Sequence, residues 1–314
     1  MRRALLVGIN YLGTPSQLYG CINDVNNIGT YLHTFRKYNS FIVMTDYSAI
    51  KPTRANILAG FAALVRGAVA GDELWFHYSG HGSLKRDTNG DEESGADSCI
   101  CPIDFARSGN ITDDIIRNNL ATLVPKGVRL YIVLDACHSG TGCDLRYKYD
   151  DSSYLTNKQS PLPDKYIPND WSLQQTNYEF KRYSKTNGEV FCISGCQDTQ
   201  TSADAFMEGK AAGVLSFLLL KCLRDNSHST TYKWKHLLKD ICCGEKVYRF
   251  TQRTALTSGN PLNLEDSVFV SSPTQSSKIY SRSISDVAPI TRITPLPRNL
   301  NYNPLIKKLY ISYN

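Results

Sequence analysis

The chain of 314 residues has no C-x-x-C pair among its ten cysteines. That absence argues against a structural zinc site, which is built on such spacings. No apolar run approaches the ~20 residues of a membrane-spanning helix, so no span is expected. The apolar stretch Ala4-Leu5-Leu6-Val7-Gly8-Ile9 is too short for a signal-peptide core and lacks a cleavage site. It reads as a first strand, and a cytoplasmic location is the expectation. No dense basic block accompanies the net charge of +6, and aromatic and basic residues do not interleave. A nucleic-acid partner is therefore not expected. No internal repeat and no long exposed apolar edge is evident, which favours a monomer. Several cysteines, Cys192 and Cys222 among them, lie in apolar sequence, as buried free thiols do in reducing compartments.

What remains is ordinary globular composition, 41% hydrophobic and 20% charged, enough to bury a core without staples. Short apolar runs alternate with helical periodicity. Strands are expected at Ala4–Ile9, Phe41–Met44, Glu73–Tyr78, Arg129–Leu134, Val190–Ser194 and, last, Ser267–Val270. Val25, Ile28, Leu32 and Phe35 share one helical face, and Ile57, Leu58, Phe61, Leu64 and Val65 another. Thr53 and Thr112 are the expected caps of their helices. Further helices are expected around Val214–Leu219 and Trp234–Cys242. This alternation argues for βαβ units and a parallel sheet, hence an α/β protein. A polar loop is expected over 82–99, a linker or surface excursion over 143–188, and a poorly ordered tail beyond Ser271 whose final Ile306–Tyr313 docks as a short strand or helix.

Two segments carry chemistry. Tyr78-Ser79-Gly80-His81-Gly82 and Asp135-Ala136-Cys137-His138-Ser139-Gly140 each follow a buried-strand pattern. A histidine and a cysteine thus stand at strand C-termini, the edge where open α/β sheets place ligands. Neighbouring strands lie about 4.8 Å apart, so the two side chains can converge as nucleophile and base. Either residue alone is more often a core group; the pairing at matching strand ends, each beside glycine, favours catalysis. The flanking glycines admit close backbone approach, and the N–H groups of Gly82 and Cys137 are candidates for an oxyanion hole. His138 is a poorer base, because adjacent side chains diverge.

These segments are similar to the histidine and cysteine boxes of metacaspases, in the caspase-like clan of cysteine peptidases. Leu6-Val7-Gly8-Ile9-Asn10-Tyr11, Leu18-Tyr19-Gly20-Cys21-Ile22-Asn23-Asp24-Val25 and Ser194-Gly195-Cys196-Gln197-Asp198-Thr199 resemble further boxes of the family, and the resemblance spans residues 3–270. It implies a caspase-like fold, a mainly parallel six-stranded sheet with helices on both faces. It divides the chain into a large-subunit-like region (1–145), a linker (146–188), a small-subunit-like region (189–271) and a tail (272–314). The chain begins on strand one, close to a first-type architecture without prodomain. Self-cleavage after a linker base would use Arg146, Lys148, Lys165, Lys181, Arg182 or Lys185.

The resemblance implies a peptidase in which Cys137 attacks the scissile carbonyl and His81 serves as base and then acid. No third triad member is evident in the sequence. Asp24 and Asp135 match the acidic residues of the primary pocket, with Cys21 and Ser79 beside them. Two carboxylates select Arg or Lys at the cleaved bond of a protein or peptide substrate. Read without the resemblance, Asp135 is a strand-end turn residue and Asp24 a helix-start residue. Asp97, Asp113, Asp114 and Asp144 match a family calcium site, and hard carboxylate oxygens suit Ca2+. The family's Gly-Tyr-Asp-Glu is Gly95-Ala96-Asp97-Ser98 here, one carboxylate fewer. Asp87-Thr88-Asn89-Gly90-Asp91 opens like an EF-hand but lacks its later positions. The rival readings are a non-catalytic caspase-like scaffold and a clan peptidase selective for Asn or Asp.

Overall fold

The computed structural model describes residues 1–86, 96–137, 143–151, 175–180, 182–196, 205–207, 210–227, 229, 231–248, 250, 253–269 and 311–312. His138, Lys165, Lys181, the EF-hand-like segment and nearly all of the expected tail lie outside these residues. In chain order, β1 (Arg2–Gly8), α1 (Cys21–Arg36), β2 (Ser40–Thr45), α2 (Arg54–Val65) and β3 (Glu73–Ser79) alternate as expected. Then come β4 (Gly82–Arg86), β5 (Ala96–Ile100), α3 (Phe105–Ser108), β6 (Ile111–Thr112), α4 (Asp113–Asn119) and β7 (Arg129–Asp135). After them follow β8 (Tyr147–Asp151), β9 (Gln175–Glu179), β10 (Glu189–Cys196), β11 (Ala205–Met207) and β12 (Lys210–Ala212). Helices α5 (Val214–Asp225) and α6 (Trp234–Val247) precede β13 (Arg253–Ser258) and β14 (Ile311–Ser312).

The main sheet has the order β14-β2-β1-β3-β7-β10-β13-β8-β9. Its centre is the expected mainly parallel set of six: β2, β1, β3, β7 and β10 run parallel, and β13 joins antiparallel to β10. Strands β8, β9 and β14 lengthen the edges. Alternation along each central strand sends side chains to two cores. Leu5, Val7, Phe76, Tyr78, Ile132 and Leu134 pack against Ile57, Phe61 and Leu64 of α2 and Ile116 of α4. Leu6, Trp75, Tyr131, Val133 and Phe191 pack against Val25, Ile28 and Leu32 of α1 and the apolar faces of α5 and α6. Each such side chain stabilises the fold by roughly 1.5–3 kcal/mol. The hydroxyls of Thr53 and Thr112 accept from the N–H groups of Asn56 and Ile115, so both caps form. Phe35 departs from the expected apolar face: it is exposed and stacks on Tyr31 at 5.4 Å.

Three expectations are corrected. The last strand of the central set is Arg253–Ser258, not Ser267–Val270. Ser267 makes only an isolated bridge to Lys233, because Val268 and Phe269 pack under α6 and Tyr131 rather than into the ladder. The stretch after His81 is not all loop, since β4 pairs with β5 and β5 with β6 in a small antiparallel sheet. The region expected as an excursion carries β8 and β9, which pair with each other, and β8 pairs with β13. In β8 the alternate residues Tyr147 and Tyr149 pack on the core while the ladder joins β8 to β13 and β9.

Candidate active site

The register of β3 and β7 decides the geometry. The two strands pair in parallel with Ser79 opposite Asp135. His81 and Cys137 therefore each follow this matched pair by two residues. The Gly80 N–H continues the ladder to the Asp135 carbonyl. Beyond it the two segments approach so closely that a Cβ placed on Gly82 would lie 1.8 Å from the Cys137 carbonyl oxygen. Only glycine fits there. Cys137 is buried and His81 half-buried. Gly82 faces Ile100 across β5, and the adjoining hydrogen bond runs from the Cys101 N–H to the His81 carbonyl. In an antiparallel ladder, a residue beside such a bond points its own N–H away from the partner strand. That orientation suits the expected oxyanion donor.

The histidine is braced from several sides. Its Nε2 lies 2.7 Å from the Ser16 carbonyl oxygen. A carbonyl only accepts, so in the neutral ring Nε2 carries the proton and Nδ1 is left as the acceptor. The Tyr11 ring lies 4.6 Å from the imidazole, and the Tyr11 hydroxyl accepts from the His81 N–H and donates to the Cys101 carbonyl. Burial raises the Tyr11 hydroxyl far above its usual range, so it stays protonated. Tyr78 donates to the His81 carbonyl at 2.8 Å. Tyr11 holds φ 51°, a left-handed conformation that bulky residues seldom adopt. The Asp46 carboxylate fixes it, accepting from the N–H groups of Asn10 and Leu12 on either side. Neither Ser16, Tyr11 nor Asp46 was singled out by the sequence. A main-chain carbonyl leaves no signature there, and a tyrosine after a strand is common.

On the other face of the same strand ends stands an acidic pair. Asp24, on the first turn of α1, is buried, and Asp135 at the end of β7 is half-buried. Asp24 Oδ2 accepts from Ser79 Oγ at 2.7 Å and from the Gly213 N–H at 3.0 Å. Asp135 Oδ2 accepts from the Ser216 N–H at 2.7 Å. A Cβ on Gly213 would touch both carboxylates, 2.2 Å from Asp135 Oδ2 and 3.0 Å from Asp24 Oδ2. The two acids thus meet at the start of α5. Ser79 belongs to this group; Cys21 is buried in the core cluster that contains Tyr11. Beneath the pair, His77 is fully buried with Nε2 3.0 Å from Ser216 Oγ. Burial pushes its imidazole down to about 3, so it is neutral.

The four aspartates expected to hold calcium are arranged differently. Asp97, Asp113 and Asp144 are buried, and Asp114 is half-buried. Asp113 accepts from the N–H groups of Ser98 and Asp114, one on each oxygen, and Asp144 accepts from the Tyr183 hydroxyl. Burial pushes the Cys99 thiol up to about 12, with Asp113 and Asp97 adding to it. Burial likewise raises Cys143, with smaller contributions from Cys192, Asp144 and Asp113. Asp113 is therefore within electrostatic reach of both thiols. The set fits a hard cation in donor type and burial. Among the described residues, however, no three acidic, histidine or cysteine side chains gather into a metal-ligating group. No helix among the described residues is long and apolar enough to cross a membrane.

A buried cysteine and a braced histidine, each two residues past the matched ends of adjacent strands of a doubly covered α/β sheet, are what a cysteine-type peptidase requires. The comparisons with known proteins place the chain in that class. The family model described as metacaspase, peptidase C14 domain, matches residues 2–146. Metacaspase-1 of Pyricularia oryzae is 35% identical over 86% of this chain and 74% of its own length. Metacaspase-1B of Neosartorya fischeri is 36% identical over 83% and 70%. The crystal structure of a Geobacter sulfurreducens protein superposes with a TM-score of 0.56 at 20% identity, covering 86% of this chain and 98% of that one, which shows the shared fold. The chain belongs to the metacaspase family, and it is a cysteine-type peptidase acting on protein substrates.

Proposed function

We propose that this metacaspase is an endopeptidase cutting after Arg or Lys, through a Cys137–His81 dyad, and stimulated by calcium. The observation that carries the specificity is the meeting of Asp24 and Asp135 at Gly213, next to the strand ends that bear the dyad. Two adjacent carboxylates attract one guanidinium or ammonium and repel an acidic side chain. With Nε2 bonded to the Ser16 carbonyl, Nδ1 of His81 takes the thiol proton. The Cys137 thiolate adds to the scissile carbonyl, and the N–H groups of Gly82 and Cys137 stabilise the oxyanion. His81 then returns the proton to the leaving amine, and water releases the acyl group. Ser16, Tyr11 and Asp46 hold the imidazole in place throughout.

Asp97, Asp113, Asp114 and Asp144 would hold the calcium ion by drawing closer together than they stand here, where no three of them form a ligating group, and the ion would compensate their charge. A cytoplasmic, monomeric enzyme completes the reading; nine free cysteines among the described residues, eight of them buried, suit a reducing compartment. The test is a panel of fluorogenic peptides with Arg, Lys, Asn or Asp before the cut bond, with calcium or chelator, on wild type and Cys137→Ala. Turnover confined to Arg and Lys, lost by at least ~1,000-fold in the variant with an unchanged melting temperature, is expected. Hydrolysis retained in Cys137→Ala, or a preference for Asn or Asp, overturns the reading. Equal rates in calcium and chelator remove the metal from it.

A further inference from the structure

The first turn of α5 reaches two carboxylates from parts of the chain that are far apart. Gly213 precedes the helix and its N–H bonds Asp24, 189 positions away. Ser216 lies in the first turn and its N–H bonds Asp135, 81 positions away. Helix N-terminal N–H groups stabilise negative charge, and here they are directed at two acids that otherwise repel each other. The glycine has a further role. Any side chain at position 213 would occupy the space where both carboxylates converge. Ser216 is in turn anchored from the sheet, its hydroxyl bonded to the neutral, fully buried His77 of β3. The Nδ1 of His77 is buried without a hydrogen-bond partner. An orphaned buried nitrogen costs stability, so packing alone does not account for a histidine here.

We propose that Gly213 is a specificity-determining residue and that His77 and Ser216 are positioning residues, together setting the spacing of the Asp24–Asp135 pair that receives the substrate's cationic side chain. The inference rests on the pocket reading given above. The N–H groups at 213 and 216 share the charge of the two acids. The imidazole of His77 fixes the rotation of the helix start through the Ser216 hydroxyl. A methyl at 213 pushes the Asp135 carboxylate out of line. The consequence is weaker capture of the cation with the dyad undisturbed.

The experiment is steady-state kinetics of the full chain on an Arg peptide, together with competitive inhibition by agmatine as a free guanidinium probe. Gly213→Ala is expected to raise KM and the agmatine inhibition constant at least tenfold each, with kcat within about threefold of wild type. His77→Leu is expected to raise both constants three- to tenfold, and His77→Gln, which keeps a nitrogen at the Nε2 place, to restore them. Asp24→Ala is the reference. If Asp24→Ala loses agmatine binding while Gly213→Ala and His77→Leu keep it, the inference fails and the pocket reading stands. If Asp24→Ala also binds agmatine normally, the pocket reading itself fails. A fall in kcat alone, with unchanged agmatine binding, assigns these residues a purely structural role and overturns the inference. Should Gly213→Ala not fold, the His77 pair decides the question by the same two constants.

Discussion

Two groups of buried and half-buried aspartates among the described residues of this metacaspase meet the first turn of a helix, and they are wired differently. At α4, Asp113 accepts from the N–H of the next residue and from that of Ser98, 15 positions back, while Asp144 of the same group reaches the Tyr183 hydroxyl, 39 positions on. At α5 the carboxylates come from α1 and from β7, and the helix that holds them comes from the far side of the sequence. A helix start that satisfies its own aspartate is a folding device. A helix start that gathers two remote like charges works against electrostatic repulsion, and in the proposed reading a substrate cation offsets that cost. Burial alone therefore does not distinguish the two groups; the origin and convergence of the donors do.

The sharpest way to break this contrast is Asp135→Asn. The variant keeps an acceptor for the Ser216 N–H but removes one of the two charges. Loss of a charge-assisted pair is worth about 2–3 kcal/mol, so KM for an Arg peptide should rise by roughly 30- to 150-fold while kcat changes little. An unchanged KM would reduce the α5 group to the same structural status as the α4 group. Asp113→Asn probes the other side. It should weaken calcium stimulation roughly two- to tenfold, about 0.4–1.4 kcal/mol, while sparing the rate measured in chelator. A full calcium response in that variant would leave Asp113 as a helix start and nothing more.

A different readout, stability against pH, concerns His77. Its folded pKa, about 3, lies below the ~6.5 of an unfolded histidine. The folded state therefore resists the proton that the unfolded state accepts. The stability contributed by the neutral ring is complete above pH ~6.5 and declines as pH falls toward 3, by at most ~1.4 kcal/mol per unit. Urea midpoints between pH 7 and 5 should fall in wild type and fall less in His77→Leu. Parallel lines for the two proteins would show that the imidazole beneath the acidic pair is protonated as readily as in water.

Much of the central sheet is legible in the sequence, because β1, β3, β7 and β10 are apolar on both faces and end in small or polar residues. The placement of His81 and Cys137 two residues beyond matched strand ends follows from that, since it needs only a register. Asp24 and Asp135 are legible as residues, but their convergence is not. The group that joins them is a glycine N–H, a serine N–H and a buried histidine, none of which has a side-chain pattern to announce it. Strand β13 is concealed for a related reason. Its sequence, Arg-Thr-Ala-Leu-Thr-Ser, has little apolar alternation, and Thr254, Thr257 and Ser258 are nonetheless buried. Hydrogen bonding to a neighbour, rather than hydrophobic period, puts it in the sheet.

The opposition of Ser79 and Asp135 across β3 and β7 also limits how this enzyme can vary in length. Side chains along a strand alternate with a period of two. Deleting one residue from β7 would swing the Asp135 carboxylate to the face of α2 and leave Ala136 in its place beside Gly213, so the proposed cation pocket would lose one of its two charges although no site residue had been substituted. The number of residues between the start of that strand and Cys137 is thus as much a part of the proposed chemistry as the residues themselves.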